Sequence, residues 1–132
     1  MNKLKKVIIL IMILFYFFAG VNHFIKPSTY VDLIPPYLPF PKTLNYLAGF
    51  YEIAFAMLLI PIKTRRYASW GIILMLIAFM PAHIFMIQRA SLDPLSLGKF
   101  TITPLIAWLR IPLQGILILW AYWCSQMKFK LM

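Results

Sequence analysis

The stretch VIILIMILFYFFAGVNHFI, residues 7–25, holds no Lys, Arg, Asp or Glu and turns polar only at Asn22-His23. A bilayer core about 30 Å thick is spanned by about 20 apolar residues in a helix, so this run is long enough to cross. Working outward, three further runs meet the same requirement: about 44–62, 67–87 and 104–124. In hydrocarbon every backbone polar group must be paired internally, which predicts helices. Period-2 alternation is absent, and that speaks against a barrel. The fold class expected is all-α: a four-helix transmembrane bundle, one integral membrane domain over residues 1–132.

Composition agrees. The 132 residues are 63% hydrophobic and 12% charged, with a mean hydropathy of +0.84. A soluble domain carries about 25% charged residues, so this chain lacks the polar surface that water requires. Its formal charge of +10 comes from 13 Lys and Arg against Asp32, Glu52 and Asp93. The basic residues sit at the ends of apolar runs, where lipid headgroups lie, and form no stripe for nucleic acid. Eight of them (Lys3, Lys5, Lys6, Lys63, Arg65, Arg66, Lys128, Lys130) fall on one side of a four-span arrangement, and Lys26, Lys42, Arg89 and Lys99 on the other. That asymmetry places both termini in the cytoplasm. Ala19-Gly20-Val21 is a poor cleavage site and the first apolar run is long for a signal peptide, so it is expected to remain as a span. The single Cys124 leaves no second thiol for a membrane dithiol mechanism within one chain and no paired-cysteine zinc site.

The ends of the runs carry helix signals. Thr43 is expected to cap the second span and Thr103 the fourth, with Pro104 in the first turn. The loop at 26–42 is stiff with prolines and carries Tyr30, Tyr37 and Phe40; it is expected to lid the bundle, with Thr29 and Asp32 spaced as a capping box. The segment 88–103 has turn chemistry at Asp93-Pro94 and Gly98. Trp70, Trp120, Tyr122 and Trp123 read as an interfacial belt.

Polar side chains inside spans mark function by default. Glu52 lies about 9 residues from the outer end of its span, roughly 13 Å deep, on a face shared with Asn45, Ala48, Gly49 and Ala56, whose small members allow close helix contact. Arg110 is about 6 residues, roughly 9 Å, from the outer end of the fourth span, with Gln114 one turn on. Pairing of Glu52 with Arg110, or a polar pocket shared by them, is expected because each lowers the other's cost in hydrocarbon. Asn22 and His23 on the first span and His83 on the third reach a similar depth. The two histidines could ligate b-type haem, but hydrogen-bonded packing is the plainer expectation and no metal site is predicted. Pro81 and Pro112 should free backbone carbonyls nearby. The site expected is thus a pocket of Glu52, Arg110, Gln114, His83, His23 and Asn22 in the outer half of the membrane. The inner half lacks a polar path, which argues against a channel.

The ordered set AGVNHF (19–24), PPYLPFP (35–41), GFYEI (49–53), LLIPIKTRR (58–66), FMPAHIFM (79–86) and LRIPLQ (109–114) resembles the DoxX family of small bacterial membrane proteins. The resemblance implies a four-helix bundle in the bacterial inner membrane. It also implies a link to redox chemistry, since some relatives are described as subunits of a thiosulfate:quinone oxidoreductase. Relatives often carry Pro-Ala-Asn where this chain has Pro81-Ala82-His83, which speaks against an axial haem role for His83.

These readings combine into an expected function. The chain would be a quinone- or amphiphile-binding accessory subunit of a membrane redox system, in contact with the lipid bilayer and with a redox partner protein or a second copy of itself. Glu52 and Arg110 would bind the ligand or exchange protons with it while His83, Gln114 and His23 hydrogen-bond it. A non-enzymatic scaffold or assembly factor, and a small lipid- or solute-binding transporter, are the alternatives.

Overall fold

A computed structural model describes residues 2–27, 34–92, 95–97 and 100–131. Helix α1 (Asn2–Ile25) follows from the uninterrupted apolar run. Helix α2 (Pro41–Leu58) starts earlier than the expected cap at Thr43. Phe40 turns the chain in with a left-handed conformation, φ 53° and ψ 58°, and Pro41 occupies the first turn, where its missing N–H costs nothing. Thr43 therefore lies inside the helix rather than capping it. The proposed capping box at Thr29 and Asp32 lies outside the described residues.

The third apolar run is two helices, α3 (Ile62–Ala78) and α4 (Met80–Leu92), broken at Phe79. Pro81 causes the break, since it cannot donate to the preceding turn and its ring crowds the carbonyl four residues back. Strands β1 (Leu95–Leu97) and β2 (Phe100–Ile102) form an antiparallel hairpin with Leu95 opposite Ile102. This hairpin is the one departure from an otherwise helical architecture among the described residues. Helix α5 (Pro104–Ser125) begins as expected, with Thr103 Oγ1 accepting from Ile106 N at 3.4 Å.

Three stretches are long and apolar enough to cross a membrane: Lys3–Ile25, Ile62–Ser91 (through the break) and Pro104–Ser125. Helix α2 is not among them. It stops at Leu58, four residues short of the expected end, and carries Lys42, Asn45 and Glu52 within its 18 residues. The chain is a membrane protein on these three helices, and its surface agrees. Leu14, Phe18, Leu74, Leu105, Leu109 and Leu119 are all exposed, an arrangement stable against lipid and unstable against water.

Helix α1 packs along α2, α2 touches α3, and α3 and α4 both pack on α5. At one end the bundle is closed by Ile9, Met12 and Tyr16 of α1, Ala56 and Leu59 at the end of α2, Ile72 and Leu76 of α3, and Ala121 and Cys124 of α5. Cys124 is fully buried there, its Sγ 3.5 Å from Met12 Sδ, as a small apolar residue would be. Trp70 and Tyr122 reach the surface edge to face, with ring centroids 6.0 Å apart. Trp120 and Trp123 instead pack half-buried against the core, so only part of the expected belt faces outward.

The turn between α2 and α3 changes the reading of the basic segment Lys63–Arg66. Helix C-termini leave carbonyls without intrahelical donors, and here two side chains of the next helix supply them. Thr64 Oγ1 donates to Leu58 O at 2.6 Å. Arg65 is 1% exposed; its Nε donates to Leu59 O at 2.8 Å and its Nη2 to Ile60 O at 3.0 Å. Its Nη1 reaches the C-terminal tail, donating to Met127 O at 3.1 Å and Phe129 O at 2.7 Å, with the Phe129 ring 5.6 Å from the guanidinium carbon. Arg65 is thus an internal clamp, not a headgroup contact. The sequence marked its charge, but an Arg in a run of four polar residues looks the same whether solvated or buried.

Candidate functional site

Away from the closed end, the helices splay around a cavity of about 810 Å³. Every helix contributes to its wall, and Ile34, Pro35 and Leu38 of the proline-rich loop contribute as well. The part of that loop that lines the cavity is thus aliphatic and proline side chains; Tyr30 lies outside the described residues. The aromatic residues Tyr37 and Phe40 turn outward. The volume falls in the range of about 300–1,000 Å³ usual for small-molecule sites, which are apolar with a few placed polar groups.

The polar groups are organised by one close helix crossing. A Cβ on Gly20 of α1 would stand 2.7 Å from Gly49 O, and a Cβ on Gly49 of α2 would stand 2.9 Å from Gly20 O and 2.7 Å from His23 Cβ. No side chain larger than hydrogen fits at either position. The approach brings three buried polar residues together, one helical turn or so from the crossing. Asn45 Nδ2 donates to the backbone carbonyl of His23 at 3.0 Å, and Asn45 Oδ1 lies 2.7 Å from His23 Nδ1. His23 Nε2 lies 3.3 Å from Glu52 Oε2. The partner the structure gives Glu52 is thus His23, where the sequence suggested Arg110 as its partner or as a neighbour in one pocket. Helix α1 sits so close to α2 that the imidazole occupies the place opposite the carboxylate.

Across the cavity, Gln114 Nε2 donates to Leu76 O at 2.9 Å. That carbonyl is available because the helix breaks at Phe79, as the proline reading anticipated for this region. The Gln114 amide also sits beside the His83 ring, and the Arg110 guanidinium is near enough for its charge to act on that ring. Five of the six residues singled out in the sequence, Glu52, His23, His83, Arg110 and Gln114, line this one cavity. Asn22 does not; it lines a shallow groove along the other face of α1 with Ile11, Phe18 and Ile25.

Two residues that sequence reasoning passed over belong to the site. Asn45, noted earlier only as a neighbour on the Glu52 face, is the centre of the α1–α2 hydrogen bonding. Tyr16 lines the cavity two turns before His23, and its hydroxyl is buried without a hydrogen-bond partner. The seven-residue spacings 16–23 and 45–52 were the available signal, since such residues share a helix face. Glu52 Oε2 and His83 Nδ1 are likewise buried with no hydrogen bond of good geometry. Buried polar groups are normally satisfied; of the cavity-lining residues, Tyr16 and His83 each hold one buried polar atom without a hydrogen bond, while Glu52 Oε2 faces the His23 imidazole at ion-pair distance. Among the described residues no group of three or more His, Cys, Asp or Glu is placed to hold a metal ion.

Fold and site together define a helical membrane protein enclosing an amphipathic chamber. The chain belongs to the family known as domain of unknown function DUF8561, whose model matches residues 12–125. That span takes in every residue lining the chamber and stops short of Met127 and Phe129, the tail residues held by Arg65. Comparison with curated proteins and with solved structures finds no match.

Proposed function

We propose that this protein holds a quinone or another amphipathic small molecule in the chamber and serves as an accessory subunit of a membrane redox system. In this reading it lies in the bacterial inner membrane with α2 as a fourth crossing and both termini in the cytoplasm. The observation that carries the binding role is the chamber itself: about 810 Å³ of largely apolar space with Glu52, His23, His83, Gln114 and Arg110 on its wall. An apolar ring or tail fits the aromatic and aliphatic lining, and a polar headgroup fits the carboxylate, imidazoles and guanidinium. The redox role and the bacterial setting come from the resemblance to the DoxX family alone. Electron transfer would then belong to a partner protein. Helix α2, at 18 residues and about 1.5 Å per residue, has a length close to the bilayer core, which supports the fourth crossing.

Native mass spectrometry of the detergent-extracted protein tests the binding role. An apolar small molecule of a few hundred daltons should travel with the wild-type chain, and menadione should add to ligand-depleted protein. Ala48→Trp, which fills the chamber from α2, should abolish both while the helical circular dichroism persists. A wild-type chain that carries no ligand and takes up no menadione removes this reading.

A second reading has an observation of its own. The Gly20–Gly49 contact and the paired Asn45–His23 bonds interlock α1 and α2, as a purely structural scaffold or assembly factor would require. It predicts that Ala48→Trp leaves biological activity intact and that a stable protein partner co-purifies without ligand.

A further inference from the structure

The orientation of one amide decides where the protons of this site reside. A backbone carbonyl can only accept a hydrogen bond, so the Asn45 atom 3.0 Å from His23 O is its NH2 group. The atom 2.7 Å from His23 Nδ1 is then the amide oxygen, another pure acceptor. His23 Nδ1 must therefore carry a hydrogen. In water a neutral imidazole is free to hold its proton on either nitrogen, and a hydrogen bond to one fixes the other. Here Asn45 leaves Nε2 as the nitrogen that exchanges, and Nε2 faces Glu52 Oε2 at 3.3 Å. An imidazole lone pair and a carboxylate oxygen repel at that distance unless a proton lies between them. Asn45 thus leaves Nε2 and Oε2 facing each other at ion-pair distance, with a place for one proton between them.

We propose that the Glu52–His23 pair is a proton-exchanging dyad, and that the chamber takes an apolar molecule whose oxygen function shares that proton. This rests on the ligand-binding reading above and narrows the ligand to one with a hydroxyl or a ring carbonyl. Glu52 lines the chamber while its Oε2 is enclosed against the imidazole, so the other carboxyl oxygen serves the occupant. A carboxyl group can take a proton on one oxygen as it releases one from the other, which links ligand and imidazole without any movement of the chain. The step is a proton transfer alone: one O–H bond breaks as another forms, and the proton on Oε2 passes to Nε2. No electron moves. Among the described residues the other ionisable groups lining this space are Tyr16 on α1, Tyr51 on α2, His83 on α4 and Arg110 on α5. The guanidinium is suited to hold the oxyanion left when a ligand hydroxyl gives up its proton. Asn45 is a positioning residue, acting through the imidazole.

The chain has two histidines, so imidazole nitrogen NMR of the labelled, detergent-solubilised protein can resolve them, with His83→Gln used for assignment. In the free protein the His23 Nδ1 signal should be that of a protonated nitrogen. Asn45→Ala should release that lock and Glu52→Gln should move the Nε2 signal. The neutral ring protonated at Nε2 in the wild-type chain overturns the proposal. The probes are 1-naphthol and its methyl ether, which share a carbon frame and differ in the exchangeable proton. Naphthol should shift the Nε2 signal and bind about 10-fold more tightly than the ether, the scale of one hydrogen bond to a charged group; in Glu52→Gln the ratio should fall to about 1. Equal binding of both with Nε2 unmoved overturns proton exchange and leaves the chamber reading standing. Absence of binding by naphthol, ether and menadione alike removes the chamber reading and this inference with it.

Discussion

Arg65 shows how one side chain can hold an end of the molecule together. Its planar fork satisfies four carbonyls from two separate segments, the end of α2 and the C-terminal tail. A lysine offers three donors from a point and cannot span that set. Arg65→Lys should therefore destabilise nearly as much as Arg65→Met, on the order of 3 kcal/mol, because buried carbonyls are left unpaired in both. Thermal unfolding in detergent checks this, and the same measurement on Lys63→Met, an exposed neighbour, should show almost no change. At this scale the sequence was a partial guide. It identified Glu52, His23, His83, Arg110 and Gln114 as polar residues too costly to face lipid, because expense depends only on residue type and depth. It placed Glu52 with Arg110, as a pair or in one polar pocket, because depth was the only coordinate available; both line the chamber, and depth does not say that His23 stands opposite the carboxylate.

At the scale of the element, the α1–α2 crossing is the feature on which the site depends. Gly20→Ala and Gly49→Ala should each push the helices apart, since the added methyl meets backbone carbonyl oxygen as well as the base of a neighbouring side chain, Ile53 Cγ1 or His23 Cβ. A loss of about 1–3 kcal/mol is the usual cost of such overpacking. Gly115→Ala in α5 is the control: a methyl added there would meet nothing within 4 Å, and the better helix propensity of alanine should leave stability equal or raised by up to about 1 kcal/mol. The difference between the variants is read from unfolding midpoints at one detergent concentration. The break between α3 and α4 makes a second prediction. Pro81→Ala should let the helix run through Phe79, re-engage the Leu76 carbonyl and deprive Gln114 of its acceptor. Cysteine cross-linking or distance measurements between α4 and α5 should register the shift. Glycine and proline were visible in the sequence as punctuation. Which glycine meets which was not, because a close contact needs two helices and a register between them.

For the molecule as a whole, the exposed leucines of α1, α3 and α5, the exposed phenylalanines of α1 and Ile84 of α4 require a lipid surround, so the protein should stay with membranes through alkaline carbonate extraction. The proposed arrangement further expects an alkaline phosphatase fusion at the C-terminus to be inactive and one at the loop near Tyr37 to be active. Activity at the C-terminus reverses the orientation. Topology also separates the two ends of the bundle. One is packed shut by small and aliphatic residues around Cys124, and the other is held open around the chamber.

What the sequence determined by itself was the solvent of this protein, the helical character of its apolar runs, and a set of polar residues confined to one half of their length. Those follow from transfer energies and backbone hydrogen bonding, which act residue by residue. Tertiary structure alone decided that α2 ends at Leu58, that Arg65 is buried, and that Asn45 holds the ring that meets Glu52. These depend on close approach between segments far apart in the chain, set by packing at Gly20 and Gly49 and by the kink before Pro81. A hydropathy pattern has no term for such contacts.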